Sequence, residues 1–105
     1  MRPFIDLRGA SGTAYRFRLW PAGGHHAPIA GNYAFVEPQS DGGFKVQLIG
    51  ECTDLSALRG AWPKGLSRAA THLYTRLNVS RAVRASEHED LAAYHTTAKV
   101  SRDAA

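Results

Sequence analysis

Hydrophobic and polar residues alternate along four stretches in the first half of the chain, at residues 4–7, 13–20, 33–36 and 44–49. This period of two predicts β-strands that bury one face and expose the other. The last stretch places three apolar side chains on one face, Phe44, Val46 and Leu48. The segment Asp41-Gly42-Gly43 offers the positive backbone φ angles of a hairpin turn. The pattern therefore predicts two β-hairpins, one at the N-terminus and one in the middle of the chain.

The segment after the second hairpin predicts two short helices and a further strand. Thr53 is suited to cap a helix over residues 53–60, and Pro63 prevents this helix from continuing. A second short helix is predicted over residues 64–70. Alternation then returns over residues 72–77, which predicts a strand that joins the central hairpin in the main sheet.

The longest predicted helix covers residues 80–94, and Ser80 is suited to cap it. Its spaced apolar positions are Val79, Val83, Leu91 and Tyr94. The step missing from this series is Glu87, so a carboxylate lies on the predicted inward face. An unpaired buried charge is costly, so Glu87 is expected to have a partner: an arginine such as Arg76, a cluster of donors or a metal ion.

Composition indicates one ordinary globular domain. The 105 residues are 44% hydrophobic and 21% charged. Residues 1–29 would form the N-terminal hairpin and a loop, residues 30–97 the core, and residues 98–105 a flexible tail. No apolar run approaches the roughly 20 residues of a membrane span, and residues 1–6 lack the apolar region that is typical of a signal peptide. The single Cys52 excludes an internal disulfide and fits a reducing compartment, which predicts a cytoplasmic protein.

The chain carries a net charge of +4, mostly from arginine, whose planar fork suits phosphate. This charge permits DNA or RNA binding without requiring it. Two strips are candidates for phosphate contact: Arg16 and Arg18 on the polar face of the second strand, and Arg81, Arg84 and His88 along the last helix. The alternative for both strips is a solvated surface.

Two adjacent histidines, His25 and His26, lie in a loop rich in proline and glycine at residues 21–28. Neighbouring side chains on an extended chain point to opposite sides. No cysteine or carboxylate stands near them at ligand spacing. The prediction is a histidine pair that holds no metal.

The central hairpin resembles a family motif. Gly31-Asn32-Tyr33 and Leu48-Ile49-Gly50 are similar to the two tripeptides of the GIY-YIG nucleases. The resemblance covers residues 31–95 and implies an α+β fold, in which helices flank a small antiparallel three-stranded sheet in the order β-β-α-α-β-α. The N-terminal hairpin would be an addition to that sheet.

The resemblance also implies a partial catalytic site. Tyr33 would orient the attacking nucleophile, and Glu87 would hold a single Mg²⁺ that polarises the scissile phosphate. Leu48 replaces the second tyrosine of the family. Leu58 replaces its arginine, and Arg59 lies next to that position. The implied catalytic set is therefore Tyr33, Glu87 and Arg59, with hydrolysis impaired or lost because two of the four groups are missing.

Two hypotheses follow. The first is a nucleic-acid-associated domain of nuclease ancestry, with phosphate contacts from Arg16, Arg18, Arg76, Arg81 and Arg84. If it cuts, it would be a metal-dependent endonuclease. The second is a protein-interaction module that is not catalytic and reuses the same scaffold. The surroundings of Glu87 discriminate between them. A solvent-reachable groove beside Tyr33 and at least one arginine favours the first hypothesis. A buried pair with arginine, with the other basic residues scattered, favours the second.

Overall fold

The computed structural model describes residues 2–20, 25–58 and 70–102. Six strands are present: β1 (Phe4–Arg8), β2 (Ala14–Leu19), β3 (Gly31–Pro38), β4 (Phe44–Cys52), β5 (His72–Leu77) and β6 (Lys99–Arg102). One α-helix, α1 (Arg81–Tyr94), and a single 3₁₀ turn (Leu55–Leu58) complete the described elements. The five predicted strands and the long helix are confirmed. As predicted, Ser80 caps α1: its hydroxyl accepts the backbone N–H of Val83 at 3.4 Å.

The six strands form one mixed sheet in the order β1-β2-β5-β3-β4-β6, curled into a half-barrel. Neighbouring strands run antiparallel except β4 and β6, which run parallel. The N-terminal hairpin joins the rest through β2 and β5, where Arg18 faces Thr75 and Leu19 faces Tyr74. The hairpin is thus continuous with the main sheet.

The predicted fold, a three-stranded antiparallel sheet flanked by helices, is wrong. The predicted addition of the N-terminal hairpin to the sheet is confirmed by the pairing of β2 with β5. Residues 99–102, expected in a flexible tail, instead add a parallel sixth strand beside β4. Of the helix predicted over residues 53–60, the described part contains only the 3₁₀ turn. The helix predicted over residues 64–70 lies outside the described residues except for its last residue, Ala70.

The sheet has an apolar cluster on each face. The helix face is the one against which Leu91 of α1 packs, and its cluster comprises Ile5, Leu7, Tyr15, Phe17, Ala34, Val36, Val46, Ile49, Tyr74 and Leu91. The opposite face carries Tyr33, Phe35, Leu48, Cys52, Leu55, Ala70 and Leu73. Burial of apolar surface on both faces is the main source of stability in a sheet of this kind.

A β-bulge in β4 explains one error in the predicted faces. Phe35 faces Leu48, whereas the next residue, Val36, faces Val46, so Gln47 is an extra residue in β4. This shift places Val46 on the helix face and Leu48 on the opposite face. The prediction of a shared face for Phe44, Val46 and Leu48 is therefore wrong.

Two glycines allow close packing across β3. A Cβ at Gly50 would overlap the ring of Tyr33, its cross-strand partner, and a Cβ at Gly31 would overlap the carbonyl oxygen of Arg76. Both glycines belong to the tripeptides that resemble the GIY-YIG motif. In this fold a side chain at either position would clash with its neighbours, so close packing explains why both residues are glycine.

Candidate functional site

Helix α1 is rotated relative to the predicted orientation. Its buried residues are Arg84, His88 and Leu91, which are spaced i, i+4 and i+7 and so form one stripe. Three of the four residues predicted to face inward are exposed: Val79 (74%), Val83 (48%) and Tyr94 (52%). The prediction ranked positions by hydrophobicity, but the buried stripe of this helix contains two polar residues.

Glu87 lies beside this stripe and has an arginine partner. Its Oε1 accepts a 2.8 Å hydrogen bond from Nε of Arg76 and a 3.0 Å bond from Nδ2 of Asn78. The side chains of Arg76 and Glu87 are 30% and 16% exposed, so the pair is partly buried. Of the partners expected for Glu87, the structure contains the arginine and an amide donor.

The groups around Glu87 do not fit a Mg²⁺ ion. Magnesium is held by oxygen ligands, whereas Oε1 of Glu87 faces the guanidinium of Arg76 and the amide N–H of Asn78. In the described part of the chain, no three His, Cys, Asp or Glu side chains come together as a metal site. We therefore derive no reaction step through a metal at Glu87.

Tyr33 and Glu87 lie on opposite faces of the sheet. The preceding residue, Asn32, accepts a 2.9 Å hydrogen bond from the Asn78 side chain that also binds Glu87, which places Asn32 on the helix face. Tyr33 therefore points to the opposite face, where the residue is 5% exposed. Its ring contacts that of Phe35 edge to face, with 6.0 Å between the ring centroids. The structure does not bring the two predicted catalytic residues together. Arg59, the third, lies outside the described residues.

Arg84 is buried, and its guanidinium binds backbone carbonyl groups. Its Nη1 donates 3.1 Å hydrogen bonds to the carbonyl oxygens of Asn78 and Val79, which lie just before α1. Its Nε lies 3.6 Å from Oε1 of Glu51, close enough for an ion pair but too far for a hydrogen bond. Since Arg84 is 5% exposed, it cannot form a surface strip with the exposed Arg81.

The other predicted strip lies in a groove. Arg16 and Arg18 point away from the helix face, because Tyr15 and Phe17 on either side belong to the helix-face cluster. The groove has a volume of about 500 Å³. It is lined by Phe4, Arg16, Arg18, Leu19, His25, His26, Ala27, Thr75, Arg76 and Leu77. The pairing of β2 with β5 brings Thr75 opposite Arg18 and so forms the floor of this groove.

His26 links its loop to β5 beside the groove. Its Nδ1 lies 2.8 Å from the carbonyl oxygen of Ala27, and its Nε2 lies 2.8 Å from the hydroxyl of Thr75. A carbonyl oxygen only accepts, so Nδ1 carries a proton, and in the neutral ring Nε2 accepts from Thr75. The imidazole also lies 5.0 Å from the ring of Trp20. The histidine pair is thus placed next to the two arginines.

Positive charge dominates the groove. Nε of Arg16 lies 3.3 Å from Oδ1 of Asp6, but both side chains are more than half exposed, so this pair is weak. The guanidinium of Arg16 also lies 5.6 Å from the ring centroid of Phe4. Arg18 forms no ion pair within residues 2–20, 25–58 and 70–102.

Of the residues that line this groove, the sequence predicted Arg16, Arg18 and Arg76 as phosphate contacts but not the others. Alternation along β2 was sufficient to place Arg16 and Arg18 on one face. His26 and Thr75 reach the groove only because β2 lies beside β5. More than 50 residues separate these two strands in the sequence, so no local pattern predicts their pairing.

Comparison with known proteins finds no match: no family model, curated protein or solved structure is similar to the chain. The GIY-YIG resemblance stays a prediction. Helix α1, with 14 residues, is the longest described helix, and no described helix meets the length and hydropathy that crossing a bilayer requires.

Proposed function

We propose that this protein binds nucleic acid through the groove lined by Arg16 and Arg18, with hydrolysis impaired or lost. We call it the phosphate-binding groove. The observation that carries the proposal is the convergence of Arg16 and Arg18 with His25 and His26 in one groove of about 500 Å³. Arginine donates paired hydrogen bonds to phosphate oxygens, and imidazole can add a further donor. Only one carboxylate, that of Asp6, lies within ion-pair distance of these arginines among the described residues.

The hydrogen bonds that Glu87 accepts from Arg76 and Asn78 support the loss of hydrolysis. A glutamate that acts on a phosphodiester must reach a metal ion or a water molecule, whereas this carboxylate accepts hydrogen bonds from Arg76 and Asn78. Tyr33 is buried on the other face of the sheet. Binding without cleavage is the activity that this arrangement favours.

The test is fluorescence anisotropy with a labelled oligonucleotide at several salt concentrations. Replacing Arg18 by alanine removes one phosphate contact, so it should weaken binding and reduce the slope of log K against log salt by about 0.7 on a single strand. Arg16→Ala should act similarly. The matched control is Arg81→Ala, because Arg81 is exposed but lies on α1. Absence of binding at low salt, or equal slopes for Arg18→Ala and Arg81→Ala, would refute the proposal.

A second candidate function is protein binding. It is favoured by the pairing of Glu87 with Arg76 and by exposed apolar side chains where β5 leads into α1. Leu77, Val79 and Val83 are 58%, 74% and 48% exposed. A cluster of this kind on a surface is typical of an interaction site. Sedimentation velocity over a range of concentrations tests the simplest case, self-association. A sedimentation coefficient that rises with concentration in the wild type, but not after Val79→Ser and Val83→Ser, would favour this candidate.

A further inference from the structure

The phosphate-binding groove has two further cavities as neighbours. It shares Phe4 and Arg16 with a cavity of about 300 Å³, which is also lined by Arg2 and Phe44. That cavity in turn shares Arg2 and Phe44 with a third, of about 390 Å³, which reaches Gly42 in the turn between β3 and β4. The three cavities are thus neighbours that share lining residues, and together we call them the track. It crosses the edge of β1.

Cationic and aromatic side chains occur together along the track. From the groove toward the turn, these residues include Arg18, Arg16, Phe4, Arg2 and Phe44. Phe4 is 46% exposed. The guanidinium of Arg16 lies over one face of its ring, 5.6 Å from the centroid, so a base would stack on the other face. Phe44 is half-buried, with part of its surface packed against the helix-face cluster. Arg2 donates one 3.3 Å hydrogen bond to the carbonyl oxygen of Gly42 and retains further N–H groups for a ligand.

We propose that the track binds single-stranded nucleic acid and selects it over a duplex. This inference rests on the proposed function and specifies its ligand. In a duplex the base faces are stacked on one another, so only the phosphates could use the track. In a single strand the bases are open, and an aromatic ring such as that of Phe4 can stack on any of them.

The spacing of the arginines agrees with an extended strand. Arg16 and Arg18 are two residues apart on β2, which separates their Cα atoms by about 6.6 Å. Successive phosphates of an extended single strand could therefore bind neighbouring arginines in the groove. The strand would then pass over Phe4, with a base stacked on the ring, and reach Arg2 with a later phosphate.

Asp6 is the one carboxylate that lines the track among the described residues, and it lies in the middle cavity. It holds Arg16 at 3.3 Å, so a phosphate must share this guanidinium or displace the carboxylate. Removal of the negative charge by Asp6→Asn should strengthen binding of every phosphate-bearing ligand. The expected gain is severalfold at low salt and smaller at high salt.

The experiment compares a labelled oligothymidylate of about 12 nucleotides with a duplex of the same length, at equal salt. Single-stranded binding should be the tighter of the two. Phe4→Ala should weaken single-stranded binding by about 5- to 100-fold and leave duplex binding unchanged. Arg2→Ala should weaken single-stranded binding less. Tyr94→Ala is the matched control, because Tyr94 is similarly exposed, at 52%, but lies at the end of α1.

The outcomes separate the track from the groove. If Arg18→Ala weakens binding while Phe4→Ala and Arg2→Ala bind like the wild type, the groove binds nucleic acid and the track does not. Equal or tighter binding of the duplex would overturn the choice of a single strand. If the wild type binds neither ligand at low salt, the proposed function fails as well. Circular dichroism of Phe4→Ala shows whether a loss of binding comes from loss of the fold.

Discussion

The Tyr15 hydroxyl donates a 2.7 Å hydrogen bond to Oδ2 of Asp90, and this contact ties β2 to α1. The same carboxylate accepts bonds of 2.6 and 2.8 Å from the hydroxyl and backbone N–H of Ser11. In addition, the backbone N–H of Ala10 donates to the carbonyl oxygen of Asp90 at 3.0 Å. A Cβ at Gly9 would overlap this carboxylate. Asp90 therefore fixes the helix to the turn between β1 and β2.

Asp90 should make stability depend on acidic pH. Hydrogen bonds from Ser11 and then Tyr15 lower the pKa of its carboxyl below the ordinary value. The folded pKa lies below the unfolded pKa, so the stabilisation is present above about pH 4 and is lost as the pH falls through the folded pKa. Asp90→Asn should lower the urea midpoint at pH 7, and its difference from the wild type should shrink as the pH falls toward the folded pKa.

Two variants check this assignment. Tyr15→Phe retains the ring and removes one donor to Asp90, so it should show the same acid dependence with a smaller effect at neutral pH. Tyr94→Phe, at an exposed position, should leave the midpoint unchanged. An Asp90→Asn difference that persists unchanged in acid would show that the carboxylate charge plays no part.

Gly50→Ala should destabilise the central sheet by about 1–3 kcal/mol, because the new methyl group overlaps the Tyr33 ring and forces it to move. Urea denaturation gives the free energy of unfolding. Gly43→Ala is the control, since a Cβ there would approach the flexible Asp41 carboxylate at 3.1 Å. In the double variant Tyr33→Ala/Gly50→Ala the effects should be less than additive, and full additivity would contradict the overlap.

The pair of Glu87 and Arg76 should contribute to folding. Glu87→Ala removes the acceptor of both Arg76 and Asn78, so it should cost about 1–3 kcal/mol. Arg76→Leu and the double variant complete a double-mutant cycle, and the coupling energy measures the interaction between Glu87 and Arg76. A coupling near zero would mean that the two groups do not stabilise one another.

Mg²⁺ is the matching ligand test for Glu87. Adding Mg²⁺ should leave the melting temperature of the wild type unchanged, because Oε1 faces Arg76 and Asn78 rather than further oxygen ligands. A rise in melting temperature that Glu87→Gln abolishes would instead support the metal site that the resemblance implies.

His95 should titrate below the ordinary histidine range. Burial lowers its pKa, and a hydrogen bond with the backbone of Arg8 opposes this shift. The neutral ring is favoured in the folded state, so this histidine destabilises the fold as the pH falls below its unfolded pKa of about 6.5. An NMR titration of the ring protons gives the midpoint directly, and a value at or above 6.5 would contradict the effect of burial.

Local pattern predicted the strands but not their assembly. Alternation identified β1 to β5, because each buries a row of apolar side chains. It missed β6, whose only large apolar residue, Val100, is 54% exposed. This strand forms through backbone pairing with β4, and such pairing leaves no mark in side-chain hydrophobicity.

The predicted orientation of α1 was wrong for a related reason. Buried arginine and histidine are rare, so the polar Arg84 and His88 were assigned to solvent and the valines to the core. Arg84 is buried because carbonyl oxygens before the helix accept its hydrogen bonds, which depends on tertiary geometry. The pairing of Glu87 with Arg76, by contrast, was an alternative that the sequence already offered, since a carboxylate near a buried face requires a partner.

The joint between β2 and β5 is short: only Arg18–Thr75 and Leu19–Tyr74 are in register. The N-terminal hairpin is therefore held at its turn by Asp90 and at its other end by this narrow seam. The groove that contains Arg16 and Arg18 straddles the seam, with arginines from one strand and Thr75 from the other. A ligand bound there would act as a brace across the seam, so the backbone amides of the hairpin should exchange their hydrogens more slowly as ligand concentration rises.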